Sequence, residues 1–188
     1  CEFNRMYKIL FVLLSVFSLS SSTVLSSEKF IQNLKDGGKV IFIRHALAPG
    51  SGDPNNFDIN DCNTQRNLNR EGIIQSKRIG AFFINNNIPI DQVLTSEWCR
   101  CKDTAKYAFK NYKTFYALNS FFSEKFQKNK KNQMNDLLNF IKKWEGKGNI
   151  VLVTHYVVIL ETLNLAVSSG EIVISDKKLN LLGIINNY

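Results

Sequence analysis

The chain has very little histidine, with His45 and His155 as the only two among 188 residues. It also lacks an apolar run of the roughly 18 to 20 residues that a membrane-spanning helix needs, since the most apolar stretch covers only residues 9–19. The densest basic stretch, residues 125–131, has no interleaved aromatics beyond Phe126 and matches no nucleic-acid-binding motif. These absences argue against a multispanning membrane protein and against nucleic-acid binding.

The composition is that of an ordinary globular protein, with 44% hydrophobic and 21% charged residues. A length of 188 residues suits one domain with a full core and is short for two. The formal net charge of +8 creates a positive field that attracts anionic substrates and surfaces.

Residues 1–26 are predicted to be a secretory signal peptide. The basic segment Met6-Tyr7-Lys8 precedes the apolar stretch, and small polar residues follow it, with Val24-Leu25-Ser26 as a cleavage triplet. Residues 1–5 are expected to lie upstream of the true start at Met6, and a permanent anchor is the alternative interpretation. We therefore expect an exported protein, periplasmic or secreted, with one domain over residues 27–188.

Three cysteines remain after the predicted cleavage, and an odd number leaves at least one of them outside an intramolecular disulfide. Cys99 and Cys101 are too close in sequence to pair with each other readily. A bridge from Cys62 to either of them would tie the loop after the first strand to the segment after the second. The Cys-x-Cys spacing is too short for a typical zinc site, and neither histidine is nearby in sequence.

Hydrophobic periodicity predicts strands that alternate with helices. The predicted strands cover residues 39–44, 90–95, 113–117 and 149–154, with a final pair at 171–175 and 181–186. The predicted helices cover residues 28–35, 70–86, 100–110, 134–144 and 156–165, and a long loop covers residues 46–69. This order indicates a three-layer α/β/α sandwich with a mostly parallel central sheet.

Three of these strands end in residues suited to binding an anion. Arg44 and His45 follow the first strand, residues 96–100 follow the second, and His155 follows the fourth. The carboxyl ends of parallel strands share one edge of a sheet, which is where ligands bind in open α/β folds. A phosphoryl group in transfer spreads negative charge over three oxygens, and guanidinium groups and imidazoles can bind these oxygens. A second imidazole can attack the phosphorus as the nucleophile.

Four segments in this order resemble the histidine phosphatase superfamily, which includes phosphoglycerate mutases and acid phosphatases. Residues 44–46 (Arg-His-Ala) resemble the Arg-His-Gly signature, with Ala46 in place of glycine, and residues 68–75 resemble the Leu-Thr-x-x-Gly-x-x-Gln segment. Residues 96–105 are similar to the Ser-x-x-x-Arg-Ala-x-x-Thr-Ala segment, and residues 153–155 to the strand that carries the second histidine. The resemblance implies a phosphoglycerate mutase-like fold, and together with the predicted signal peptide it suggests a small exported bacterial-type member.

The resemblance also implies roles for individual residues. His45 would be the nucleophile that becomes phosphohistidine, while Arg44, Arg100 and His155 would hold the phosphoryl oxygens, without a metal or other cofactor. The proton donor to the leaving group is expected to be Glu124.

Other polar residues are further candidates for the pocket. Glu97 and Asp53 are alternative proton donors, and Ser51 is a candidate substrate contact. Arg66 and Asn67 could line the rim of the pocket, or could belong to a solvated loop. Trp98, Phe121 and Phe122 are expected to pack rather than to stack on substrate.

The leading hypothesis is a phosphatase that hydrolyses a small phosphomonoester. A catalytically weak phosphate-binding or interaction domain on the same fold, and a phosphotransferase or mutase, are the alternatives. Export would favour a phosphorylated envelope sugar as substrate and contact with the envelope surface.

Overall fold

The computed structural model describes residues 30–188, so the predicted signal peptide lies outside the described residues. Residues 30–35 are helical (α1). The other helices are α2 (Arg70–Asn85), α3 (Cys99–Phe109), α4 (Glu124–Gln127), α5 (Lys130–Lys143) and α6 (Tyr156–Leu163). The strands are β1 (Val40–Arg44), β2 (Ile90–Thr95), β3 (Lys113–Thr114), β4 (Asn149–Thr154), β5 (Ile172–Ser175) and β6 (Leu181–Ile185).

The six strands form one sheet in the order β3-β2-β4-β1-β5-β6. Strands β3, β2, β4 and β1 are parallel to one another, whereas β5 is antiparallel to β1 and β6 is antiparallel to β5. The prediction of a mostly parallel central sheet is therefore confirmed.

The register of the two central strands brings the histidines together. Arg44 at the end of β1 pairs with Thr154 at the end of β4, so the next residue on each strand is a histidine. The backbone N–H of His45 donates to the carbonyl oxygen of Thr154 over 2.9 Å and extends the ladder by one step. Two distant points of the chain thus meet at one edge of the sheet.

Helices cover both faces of the sheet, because alternate strand residues point to opposite sides. Ile41 and Ile43 of β1 belong to one apolar core with residues of α2 and α3. Val40 and Phe42 belong to a second core with residues of α5 and α6. All four side chains are fully buried, which gives the expected three layers. Among residues 30–188, no helix is long and apolar enough to cross a membrane.

Three predicted element boundaries differ from the structure by two residues or more. The third strand was expected at 113–117, but only Lys113–Thr114 pairs, and the chain then enters a 3-10 helix (Tyr116–Leu118) that buries Leu118. Helix α5 begins at Lys130 and not near residue 134, because its first turn is polar and gives no apolar signal. Helix α6 ends at Leu163 because Asn164 adopts a left-handed φ of 51°.

The three cysteines among residues 30–188 form one disulfide and leave one thiol. Cys62 in the loop after β1 bonds to Cys99, the first residue of α3. Cys101 is free and buried. The structure thereby selects between the two pairings that the sequence leaves open.

Candidate functional site

A cavity of about 510 Å³ opens at the edge of the sheet where β1 and β4 end. Its basic and imidazole lining comprises Arg44, His45, Arg66, Arg100, Lys125 and His155. Asp53 is the one carboxylate in the lining among the described residues. The cavity therefore carries a net positive charge, which favours an anionic ligand.

His45 is held as a neutral imidazole with one free nitrogen. Its side chain is 2% exposed, and Nδ1–H donates to the carbonyl oxygen of Ala46 over 2.9 Å. Burial lowers the pKa of His45 well below its ordinary value, and the nearby Arg100 guanidinium lowers it further. With Nδ1 protonated, the lone pair is on Nε2, as a nucleophilic imidazole requires.

His155 lies next to His45, with 5.5 Å between ring centroids. Its Nε2 is hydrogen bonded to the Ser96 hydroxyl over 2.9 Å and lies 3.4 Å from the Cys101 sulfur. Burial, with Arg100 adding to it, lowers the pKa of His155 well below its ordinary value. Because Nε2 is held by Ser96, the ring has a fixed orientation and Nδ1 is its remaining polar atom.

Arg44, the last residue of β1, is anchored by one of its terminal nitrogens. Nη1 donates to the carbonyl oxygen of Val167 over 2.6 Å, and the guanidinium carbon lies 5.6 Å from the ring centre of Tyr156. Its Nε is buried and has no hydrogen-bond partner within residues 30–188. One donor in the cavity is thus left without an acceptor.

Arg100, in the first turn of α3, is anchored in a similar way. Nη1 and Nη2 donate to the two carboxylate oxygens of Asp53 over 2.7 and 3.2 Å. Its Nε is likewise buried without a partner among the described residues. Buried donors are almost always paired, so the unpaired Nε atoms of Arg44 and Arg100 fit an oxyanion ligand.

The cavity brings together most of the predicted site residues. Arg44, His45, Ser51, Arg100 and His155 all line it. Arg66 lines it as well, whereas Asn67 is not part of the lining and donates to the Cys62 carbonyl oxygen over 2.6 Å.

The three predicted proton donors are placed less favourably. Glu124 is exposed at the start of α4 and is not in the lining, although its neighbours Ser123 and Lys125 are. Glu97 also lies outside the lining and accepts from the Asn119 amide. Asp53 is in the cavity as a carboxylate: burial alone would raise its pKa, but hydrogen bonds from Arg100 hold the pKa below its ordinary value. That environment does not suit an acid.

The expectation that Phe122 packs is wrong, whereas Trp98 and Phe121 are buried as expected. Phe122 is 60% exposed and lines the cavity, because it lies in the irregular segment between the 3-10 helix and α4. Lys125 is a lining residue that the sequence did not single out. Its ammonium lies 5.3 Å from the ring centre of Phe126. No local motif marks either residue, because loop packing places both at the mouth.

Within the described part of the chain, no cluster of three or more His, Cys, Asp or Glu side chains is placed to hold a metal ion. The cavity instead offers cationic donors and imidazoles, and these suit an oxyanion directly.

Searches with family models and with curated proteins give no match to this sequence. Solved structures do match. A protein histidine phosphatase SixA in complex with tungstate aligns at 14% identity with a TM-score of 0.58, over 78% of this chain and 96% of that one. A phosphoglycerate mutase from Thermus thermophilus aligns at 14% identity with a TM-score of 0.55, over 80% of this chain and 99% of that one. The chain therefore has the phosphoglycerate mutase-like fold that these histidine phosphatase and mutase structures share.

Proposed function

We propose that this protein is a histidine phosphatase that transfers a phosphoryl group from its substrate to His45 and then to water. One observation carries the proposal: two buried neutral imidazoles, 5.5 Å apart, lie beside two arginines that each keep an unpartnered Nε–H. The fold shared with the SixA and phosphoglycerate mutase structures supports it.

The first step uses the free nitrogen of His45. Its Nε2 lone pair forms a bond to phosphorus while the bond from phosphorus to the leaving group breaks. The Nδ1–H bond to the Ala46 carbonyl oxygen stabilises the positive charge that the ring then carries. Water attacks phosphorus in the second step, the N–P bond breaks, and His45 returns to its neutral form as phosphate leaves.

Arg44, Arg100 and His155 are proposed to bind the three nonbridging oxygens during both steps. The two Nε–H donors are already in place without partners, so little reorganisation is needed when charge develops. The Ser96 hydroxyl donates to Oδ1 of Asn119, so it accepts from Nε2–H of His155, and Nδ1 of the neutral ring carries a lone pair. A bound phosphoryl dianion favours the protonated form of this ring, which then donates from both nitrogens.

The leaving group decides which substrates react well. No uncommitted carboxyl group lines the cavity among residues 30–188, since Asp53 is bonded to Arg100. Phenolates leave without a strong acid, and the imidazole of a phosphohistidine leaves as a neutral ring when its other nitrogen is protonated. We therefore propose aryl phosphates and phosphohistidine as better substrates than alkyl phosphates. The structural similarity to the protein histidine phosphatase SixA supports phosphohistidine.

The proposal is tested with p-nitrophenyl phosphate, phosphohistidine and glycerol phosphate as substrates between about pH 4 and 8. We expect hydrolysis of the first two, weaker hydrolysis of the third, and a loss of about 10³-fold or more in His45→Ala. Quenching a reaction with labelled substrate in alkaline denaturant, where phosphohistidine is stable, should trap phosphate on His45 in the wild type only. Equal rates for wild type and His45→Ala, or no hydrolysis by either, would refute the phosphatase.

A catalytically weak phosphate-binding domain is the second candidate. It is favoured by the absence of an uncommitted carboxyl group from the cavity lining among residues 30–188. It predicts phosphate binding without turnover of any of the three substrates. A phosphotransferase or mutase predicts phosphate on an added alcohol in place of free phosphate, which product analysis would detect.

Export from the cytoplasm remains a proposal. The apolar stretch at residues 9–19 supports it, and so does the Cys62–Cys99 disulfide, because disulfides persist in oxidising compartments. A phosphorylated envelope component is the substrate class that export would favour. Mass determination of the N-terminus after cell fractionation tests the cleavage near residue 26.

A further inference from the structure

Asp53 lies at the centre of a cluster of hydrogen-bond donors in the long loop after β1. Its Oδ1 accepts from Nη1 of Arg100 over 2.7 Å and from the backbone N–H of Arg66 over 3.0 Å. Its Oδ2 accepts from Nη2 of Arg100 over 3.2 Å and from the indole N–H of Trp98 over 3.0 Å. Four donors therefore fix both carboxylate oxygens, and the side chains of Asp53 and Arg100 are only 16% and 4% exposed.

This pairing uses only part of the Arg100 guanidinium. The group has five N–H donors in one rigid plane, and Asp53 binds the two terminal nitrogens. Nε–H remains buried without a partner among residues 30–188, in a side chain that lines the same cavity as His45. A phosphoryl oxygen could accept a hydrogen bond from this N–H without displacing Asp53.

We propose that Asp53 is the positioning residue of the phosphoryl pocket. By binding the terminal nitrogens it fixes the plane of the Arg100 guanidinium and keeps Nε–H available for a phosphoryl oxygen. This inference rests on the proposed function, in which Arg100 is a phosphoryl ligand. Asp53 acts through Arg100 and takes no part in proton transfer.

The backbone conformation of the loop helps to place the Asp53 carboxylate beside Arg100. Gly50 and Gly52 on either side of Ser51 have left-handed φ values of 92° and 67°, which residues with a Cβ rarely adopt. The Arg66 side chain donates from Nε to the carbonyl oxygen of Gly52 over 2.8 Å and holds the turn closed. The position of Asp53 is therefore set by the loop backbone as well as by its own contacts.

The same loop is attached to the start of α3 at two further points. The Gln65 side-chain oxygen accepts from the backbone N–H of Cys99 over 2.9 Å, and Cys62 is bonded to Cys99 through sulfur. Arg100 is the next residue along the helix. Loop and helix are thus held together at the arginine that Asp53 binds.

A competing model makes Asp53 an internal anion that occupies Arg100 and must leave before phosphate can bind. The two models predict opposite effects of Asp53→Asn on phosphate affinity. An amide can accept from the donors on one side only, because its NH₂ group faces the donors on the other. Positioning therefore predicts weaker phosphate binding in the variant, whereas competition predicts tighter binding.

The test compares inorganic phosphate binding by calorimetry in wild type, Asp53→Asn and a control, Asp58→Asn. Asp58 lies in the same loop and its exposed carboxylate accepts only from the nearby backbone N–H of Asn60 within the described residues. We expect about 10- to 100-fold weaker binding in Asp53→Asn, the range seen when an orienting partner is removed, and little change in the control. Tighter or unchanged binding in Asp53→Asn would overturn the proposal.

A double-mutant cycle shows whether Asp53 acts through Arg100. In an Arg100→Lys background, Asp53→Asn should have almost no further effect on phosphate affinity, because lysine lacks the planar guanidinium group that Asp53 orients. A full effect in that background would mean that Asp53 supports the loop alone, which contradicts the proposal.

A measurement on the wild type keeps the proposal testable if Asp53→Asn does not fold. The Nε–H resonance of Arg100, assigned by its loss in Arg100→Lys, should shift when phosphate is added, and an unshifted resonance would overturn the proposal. Phosphate binding without hydrolysis by the wild type would refute the proposed function alone, since affinity still reports on Asp53. Absence of phosphate binding would refute both.

Discussion

At the scale of single residues, the proposed chemistry depends on keeping two imidazoles neutral in a basic pocket. His45 and His155 are both buried, and the charge of Arg100 acts on each of them. Desolvation and a nearby cation both penalise the imidazolium, so they act in the same direction. The arginines that would bind the phosphoryl group therefore also keep the proposed nucleophile, His45, unprotonated.

The two histidine rings should titrate below their ordinary pKa of about 6.5 in the free protein. With only two histidines in the chain, their carbon-bound ring proton resonances can be followed by NMR from pH 8 to 4 and assigned with His45→Gln and His155→Asn. A midpoint at or above 6.5 for either ring would contradict the buried, cation-flanked site.

At the scale of elements, the loop between β1 and α2 depends on a covalent link to α3. The Cys62–Cys99 disulfide spans a sequence separation of 37 residues. For a closed loop of that length, the chain-entropy model gives about 3 to 4 kcal/mol of stabilisation.

Cys62→Ala should lower the free energy of unfolding by about that amount and weaken phosphate binding, because the loop carries Asp53 and Arg66. Urea unfolding and phosphate calorimetry measure the two effects, with dithiothreitol on the wild type as a second way to break the bond. A stability within about 0.5 kcal/mol of the wild type would show that the bond does not restrain the loop.

Helices α2 and α3 approach each other closely at a glycine. A Cβ on Gly80 would lie far inside contact distance of the Ala108 carbonyl oxygen, which is backbone and cannot move aside cheaply. Glycine is otherwise unfavourable in a helix, so a close packing contact explains it here.

Gly80→Ala should therefore destabilise the protein by about 1 to 3 kcal/mol, although helix propensity alone would favour alanine by about 0.5 to 1 kcal/mol. Thermal and urea unfolding show whether the substitution lowers or raises the free energy of unfolding. The exposed Ala81 offers a control, because Ala81→Gly should show only the propensity cost. A stabilised Gly80→Ala would mean that the two helices can separate without loss.

At the scale of the whole molecule, the buried histidines link stability to pH. The pKa of each histidine is lower in the folded state than in the unfolded chain. As the pH falls below about 6.5, the unfolded chain therefore binds protons at these histidines before the folded protein does. Stability is therefore full above that pH and falls as the pH drops towards the folded-state pKa values. Asp53 also has a lowered pKa in the folded state. Its protonation therefore reduces the stability further, at pH values below the ordinary pKa of an aspartate.

The free energy of unfolding should fall between about pH 6.5 and 5, approaching about 1.4 kcal/mol per pH unit for each histidine at its steepest. Urea titrations at several pH values measure the slope, which His155→Asn should reduce by roughly half. A flat profile over that range would mean that the folded and unfolded protein bind protons equally at these histidines, which would contradict their lowered pKa values.

Much of the architecture followed from the chain's own pattern. Apolar runs such as residues 40–43 and 150–153 are typical of buried strands, and their alternation with amphipathic helices predicted the layers. Element ends were less predictable: residues 113–117 look like a strand, but packing of Leu118 against the second core turns the chain early. Boundaries depend on such long-range contacts, which local propensity does not contain.

The sequence by itself determined the sheet, its layers and the set Arg44, His45, Arg100 and His155, because strand ends and their polar residues are local features of the chain. Tertiary structure alone decided that Cys62 pairs with Cys99, that Phe122 faces the cavity and that Glu124 does not. It also decided that Asp53 binds Arg100. These contacts join loops that are distant in sequence, and their partners are set by the packing of the whole chain.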